Sequence, residues 1–261
     1  MPVCCHASSM VDKVFTDARL AALYDLFSPA DERADLEFYL PLLMRAPSVL
    51  DLGCGTGTLL HRARAAGHTG RLCGVDPAPG MLEVARSRGD IEWVLGDIGA
   101  VRDRRFDLVV MTGHAFQALV DDEELRSTVA TVAAVLPETG SFVFETRNPA
   151  VREWETWDRR YSGEVTDHTG AVVRCVCEVR EPVGGDLVSF THIFSSARWA
   201  RPEVSRSTLR FLDQAGLAEL LRGAGLIVAE QFGDWDRRSL TQDCPEIITV
   251  ARHPRIRPHA T

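Results

Sequence analysis

The segment Val49-Leu50-Asp51-Leu52-Gly53-Cys54-Gly55-Thr56-Gly57 carries the sharpest chemical signal in the sequence. Glycines at every second position follow a short apolar run and precede a helical one. Glycine takes positive φ freely and lets a ligand approach the backbone closely. Two phosphate-cradling patterns fail on single residues: a G-x-G-x-x-G turn needs glycine where Thr58 stands, and a phosphate loop needs a lysine that is absent here. Asp51 would repel phosphate and suits a ligand that carries an ammonium group. Asp76 ends the next apolar run, where a carboxylate can accept both hydroxyls of a ribose. Asp97 ends the third as Gly96-Asp97-Ile98. Its side chain can accept the exocyclic amine of adenine while the Ile98 amide donates to a ring nitrogen.

Three acids at three successive strand ends require elements that bring those ends to one edge. Residues about 10–45 read as helical, with a break at Ser28-Pro29. From 48 onward, apolar strands at 48–52, 72–76, 91–97, 106–111 and 140–146 alternate with helices near 59–66, 79–88 and 123–136. That alternation predicts βαβ units and a buried, mostly parallel sheet. Residues about 160–211 change period. Ala171 to Val179 and Leu187 to Trp199 flank the turn Gly184-Gly185, and a third short strand is expected over Ser207–Phe211. A leucine-rich helix over Asp213–Arg222, stopped by Gly223 and Gly225, then leads to strands at 226–232 and 246–252.

The expected fold class is therefore α/β: a doubly wound, seven-stranded, mostly parallel sheet with N-terminal helices and an inserted antiparallel β lobe. The expected divisions are an N-terminal helical cap at 1–47, a core at 48–150, the β lobe at 151–212, the final helix and strands at 213–252 and a flexible tail at 253–261. The β lobe would cover substrate or contact a second subunit.

Composition narrows the partners. The 261 residues carry a formal net charge of −8, which argues against a broad phosphate-backbone surface. Seven cysteines, among them Cys4, Cys5, Cys175 and Cys177, form neither a disulfide framework nor paired C-x-x-C zinc motifs. Without a signal-peptide pattern or an apolar run of membrane-spanning length, the expected location is the cytoplasm. Lys13 is the only lysine, which with abundant alanine points to a GC-rich bacterial genome.

The arrangement resembles the class I S-adenosylmethionine-dependent methyltransferases, closely over about 48–150 and moderately over about 213–252. The resemblance implies a Rossmann-like methyltransferase fold with S-adenosyl-L-methionine as cofactor and S-adenosyl-L-homocysteine as product. It implies that Asp51, Gly53, Gly55 and Gly57 hold the methionine part and Asp76 the ribose. Pro77 and Met81 would flank the adenine, and Asp97 with Ile98 would read it. Met111-Thr112-Gly113-His114 would line the sulfonium side, and Tyr24 would close over the cofactor. His114, Glu145 and His192 are candidate bases, and Phe116, Trp154 and Trp157 candidate pocket walls. An Asn- or Asp-Pro-Pro-aromatic motif is absent after strand four, which disfavours nucleic-acid or glutamine methylation. The expected partner is a small-molecule N, O or C acceptor of secondary metabolism, with no metal, no nucleic acid and no membrane, in a monomer or homodimer. Three alternatives stand: a cofactor-binding, non-methylating enzyme such as a cyclase, a nicotinamide oxidoreductase, and a non-catalytic binding protein.

Overall fold

A computed structural model of the chain describes residues 11–180 and 184–254. Cys4, Cys5, the first ten residues of the expected cap and residues 255–261 of the expected tail lie outside the described residues.

The N-terminal segment forms three single-turn helices, α1 (Lys13–Thr16), α2 (Ala18–Ala21) and α3 (Tyr24–Phe27), and then α4 (Ala34–Leu43). This corrects the reading of one helical run before Ser28-Pro29. Asp17 is extended at φ −78° and ψ 116°, and its carboxylate accepts from the Arg19 and Leu20 amides. It therefore ends α1 and caps α2. The apolar spacing still buries Leu20 and Leu23.

The alternating region follows as β1 (Ser48–Leu52), α5 (Thr58–Ala65), β2 (Arg71–Asp76), α6 (Pro79–Ala85), β3 (Glu92–Leu95), β4 (Leu108–Met111), α7 (Asp122–Val135) and β5 (Ser141–Arg147). Beyond it come α8 (Trp157–Arg160), β6 (Gly163–Thr166), β7 (Val172–Val179), β8 (Leu187–Ser195), β9 (Glu203–Arg210), α9 (Gln214–Gly223), β10 (Ile227–Phe232) and β11 (Glu246–Arg252). Seven strands make one sheet in the order β10-β11-β5-β4-β1-β2-β3. β1 to β5 are parallel, and β11 runs antiparallel between β5 and β10. One face buries Leu50, Val109, Phe142 and Phe144 under α7 and α9. The other buries Val49, Leu72, Val110 and Ile248 under α4 and α5. Strand order reverses between β1 and β4, and ligands of open α/β sheets sit outside the carboxyl ends at such a switch point.

β6-β7-β8-β9 form a second, fully antiparallel sheet. Its inner face buries Val173, Cys175, Cys177, Phe190 and Phe194. β6 escaped the sequence reading because four residues that are mostly exposed give too short an alternation. The expected third strand at Ser207–Phe211 instead begins at Glu203, where it pairs with Phe194 and continues to Arg210 opposite Leu187.

The N-terminal turns join the two sheets. The Val14 amide donates to Ser205 Oγ at 2.9 Å, and Lys13 and Arg19 reach Glu203 at 2.5 and 2.7 Å. On the opposite side Ala21 packs with Ala78 and Met81 of the α6 region. Among the described residues no helix is long and apolar enough to cross a membrane.

Candidate active site

The glycine turn is built by backbone conformation. Gly53, Gly55 and Gly57 take φ of 75°, 55° and 78°. Asp76 braces the turn from the end of β2: one carboxylate oxygen accepts the Gly55 amide and the other the Ala78 amide, both at 2.8 Å. A Cβ on Gly55 would meet no atom within 4 Å. A Cβ on Gly57 would lie 2.3 Å from the Trp93 ring.

A cavity of about 1520 Å³ opens between this turn, the N-terminal helices and the inner face of the second sheet. Gly53, Gly55, Asp76, Pro77, Met81, Asp97 and Ile98 line one side of it, with Tyr24, Met111, His114 and Glu145 on the rest of the core's edge. Two expected site residues, Asp51 and Gly57, lie behind that lining. Gly57 packs under Trp93 and starts α5, so its part is to shape the turn. Asp97 is exposed, and its carboxylate already accepts the Gly99 amide at 2.8 Å.

Asp51 is 1% exposed, and neither carboxylate oxygen has a hydrogen-bond partner. Burial raises its pKa to about 7, with Arg33 opposing the shift and Asp76 adding to it. A buried carboxylate without a partner is costly and marks a place for a cationic group. Arg33 is the residue that the sequence reading missed on this side. Its guanidinium forks onto Asp35 at 2.6 and 3.2 Å. A Cβ on Gly113 would lie 3.5 Å from its Nη2 and 3.9 Å from the Tyr24 hydroxyl. The sequence holds only an Arg-x-Asp ahead of α4 as a clue, and nothing local in it points to a glycine 80 positions away.

At the end of β4 the chain turns sharply through Gly113 and His114, both with positive φ. Glu145 fixes that turn. It accepts the His114 amide at 2.7 Å and the Tyr39 hydroxyl, one on each oxygen. Glu145 is fully buried, and burial raises its pKa to about 7. With both oxygens engaged it is a brace for His114. No arginine pairs with it: Arg147 goes to Gln117 and Glu153, and Arg152 to Glu155. The His114 ring meets Glu246 at 3.0 Å. Burial lowers the His114 pKa to about 3, leaving a neutral imidazole, and raises that of Glu246 to about 8. Glu246 lines the cavity and was also missed, because a lone acid at the start of a strand gives no signal.

The aromatic expectations divide. Phe116 stacks on Phe144 at 4.2 Å inside the core, which corrects its reading as a pocket wall. Trp154 packs on Phe211 and lines a separate, smaller pocket. Trp157 lines the main cavity, and so does His192 from the β lobe.

The protein is thus an α/β chain whose cavity joins a glycine turn and the acidic strand ends at Asp76 and Asp97 to a β lobe, with Asp51 buried behind the turn. Residues 49–140 match the family model described as a methyltransferase domain. Among curated proteins the chain is 31% identical over 144 residues to a malonyl-(acyl-carrier protein) O-methyltransferase of Anoxybacillus flavithermus, covering 52% of this chain and 54% of that one. It is 35% identical over 107 residues to a cypemycin N-terminal methyltransferase of a Streptomyces species, covering 40% and 43%. The chain spans about half the length, or less, of the curated relatives it matches. Solved structures align over nearly the whole chain. The CcbJ methyltransferase of Streptomyces caelestis superposes with a TM-score of 0.70 at 22% identity, covering 90% of this chain and 96% of that one. The sugar N-methyltransferase KedS8 of Streptoalloteichus gives 0.66 at 20%, covering 97% and 99%. Residues 49–140 thus match a methyltransferase domain, and the chain as a whole has the Rossmann-like fold of the solved methyltransferases it superposes on.

Proposed function

We propose that the chain transfers a methyl group from S-adenosylmethionine to the amine of a small, hydroxylated molecule of secondary metabolism. The observation that carries the reading is the cavity itself, with cofactor-type strand ends on one wall and a second sheet on the other. The residues fit the cofactor. Asp51 has two buried, unpartnered oxygens for an ammonium group, and Arg33 offers a cation for a carboxylate. Asp76 retains lone pairs for ribose hydroxyls, and Asp97 with the Ile98 amide would hold the adenine. Pro77 and Met81 supply apolar surface to the ring, and Tyr24 covers the site.

S-adenosylmethionine supplies a methyl on a sulfonium, which a nitrogen lone pair displaces in line. The protein's part is to hold both partners aligned, which contributes up to about 7–11 kcal/mol in well-oriented systems. An amine is favoured because carboxylates outnumber guanidinium groups in the lining, and Arg147 is already paired with Glu153. Glu246, hydrogen-bonded to neutral His114, takes the proton that an ammonium acceptor loses to free its lone pair once it is ionised, as pH rises through about 8. Two similar structures are a sugar N-methyltransferase and an amino pentose methyltransferase, which supports the same reading.

Calorimetric titration with S-adenosylhomocysteine, with NAD as control, tests the cofactor. Binding of the former alone in the micromolar range is expected, and NAD binding in its place would sink the reading. Release of S-adenosylhomocysteine from S-adenosylmethionine in the presence of amines then tests turnover.

A further inference from the structure

The wall of the cavity opposite the glycine turn contains polar atoms that the reaction scheme above does not use. His192 of β8 lies on the inner face of the second sheet, across from Cys177 of β7 and Ser205 of β9. Its ring lines the cavity between Phe190, at 5.2 Å and 80°, and Phe194, at 5.9 Å and 51°. Its Nδ1 is buried without a hydrogen-bond partner. Burial also lowers its pKa to about 4, so the ring is neutral near pH 7. Trp157, 1% exposed, continues the same wall at 5.0 Å from Phe190, and its indole Nε1 is likewise buried with no partner.

Apolar residues alone would make a cheaper wall. A buried imidazole or indole nitrogen left without a partner costs free energy, and native structures pair such groups unless a ligand does so. Aromatic faces with a few placed hydrogen-bonding groups form the usual lining of small-molecule sites. Faces for ring C–H groups beside a neutral imidazole and an indole N–H complement a saturated ring that carries hydroxyls.

We propose that His192, set between Phe190 and Phe194 and flanked by Trp157, is the specificity-determining residue of an acceptor subsite on the β lobe that takes a sugar ring bearing the amine. The inference rests on the methyltransferase reading above. His192 hydrogen-bonds a ring hydroxyl, the aromatic rings bury the sugar's apolar face, and the amine is left toward His114 and Glu246. A site that hydrogen-bonds a hydroxyl rejects analogues lacking it far more strongly than an apolar site discriminates by size.

The test uses the full chain saturated with S-adenosylhomocysteine. Aminohexoses and aminopentoses carrying the amine at carbon 2, 3 or 4 are titrated beside their neutral parent sugars, with the His192 ring proton followed by nuclear magnetic resonance. At least one amino sugar is expected to bind tenfold or more tightly than its parent and to shift that signal. His192→Phe is expected to weaken its binding tenfold or more while S-adenosylhomocysteine affinity stays within twofold, and His192→Gln to recover part of the loss. Failure of the wild type to bind S-adenosylhomocysteine would overturn the methyltransferase reading and this inference with it. Cofactor binding without any amino-sugar binding would overturn the acceptor class. Amino-sugar binding that His192→Phe leaves unchanged would overturn the role of His192 alone.

Discussion

Asp51 is a charge that the fold buries without a partner, and this fixes how it responds to pH. Its pKa rises from 3.8 to about 7 on folding, so its contribution to stability is complete below about 4 and is lost as pH rises through 7. Glu145 and Glu246 act in the same sense, rising from 4.5 to about 7 and about 8. His114 opposes them only on the acid side, because its pKa falls from 6.5 to about 3. The protein without cofactor should therefore lose stability progressively between about pH 4 and 8, as thermal unfolding would show. Stabilisation by S-adenosylhomocysteine should grow over the same window, because the ligand's ammonium meets an ionised Asp51. Asp51→Asn should flatten the apo profile and weaken S-adenosylhomocysteine at least tenfold, about 1.4 kcal/mol. An unchanged affinity would remove Asp51 from the site. Asp76→Ala should cost about 1.5–3 kcal/mol of cofactor binding if both ribose bonds are lost. The bonds from Asp76 to the Gly55 and Ala78 amides add a stability cost that a ribose role alone would not predict.

At the scale of the element, the glycine turn separates a ligand-facing glycine from a packing one. Gly55→Ala places its methyl in open space at φ 55°. It should cost about 1 kcal/mol of stability through backbone strain but weaken S-adenosylhomocysteine tenfold or more. Gly57→Ala drives a methyl into Trp93 at φ 78° and should cost about 2–3 kcal/mol, with cofactor affinity following only through the fold. Paired unfolding and binding measurements would separate the two, and equal effects on binding would refute the distinction. The period-2 strands of the lobe and the apolar runs of the core were legible because burial on one face or two leaves a plain pattern. β6 and the breaks among α1 to α3 were not legible. A four-residue strand has too few positions to show a period, and Asp17 as a cap looks like any other acid until its backbone is extended.

In the whole molecule, residues 13–27 are wedged between α6 and β9 rather than set beside the core. Ser205 and Glu203 tie them to the lobe, while Ala21 ties them to Met81 in the cavity lining. The exposed Glu203 ion pairs contribute little by themselves, at most about 1 kcal/mol. The wedge nevertheless links both halves of the cavity. Binding of S-adenosylhomocysteine should therefore slow amide hydrogen exchange in residues 13–27 and in β9 as well as in the glycine turn. Protection restricted to the turn would show that the lobe senses nothing of the cofactor.

The sequence by itself determined the α/β class, the glycine turn and the acids at 51, 76 and 97. These are local: an apolar strand, a turn that only glycine can make, and the residue that ends the strand lie within a few positions of one another. Tertiary structure alone decided that Arg33 stands by Asp51, that Glu246 holds His114, that Glu145 is a brace, and that His192 Nδ1 and Trp157 Nε1 are buried without partners. Each of those pairs unites segments far apart in the chain. Their chemistry comes from burial and from missing or provided partners, which exist only once the two sheets and the N-terminal turns have closed around one cavity.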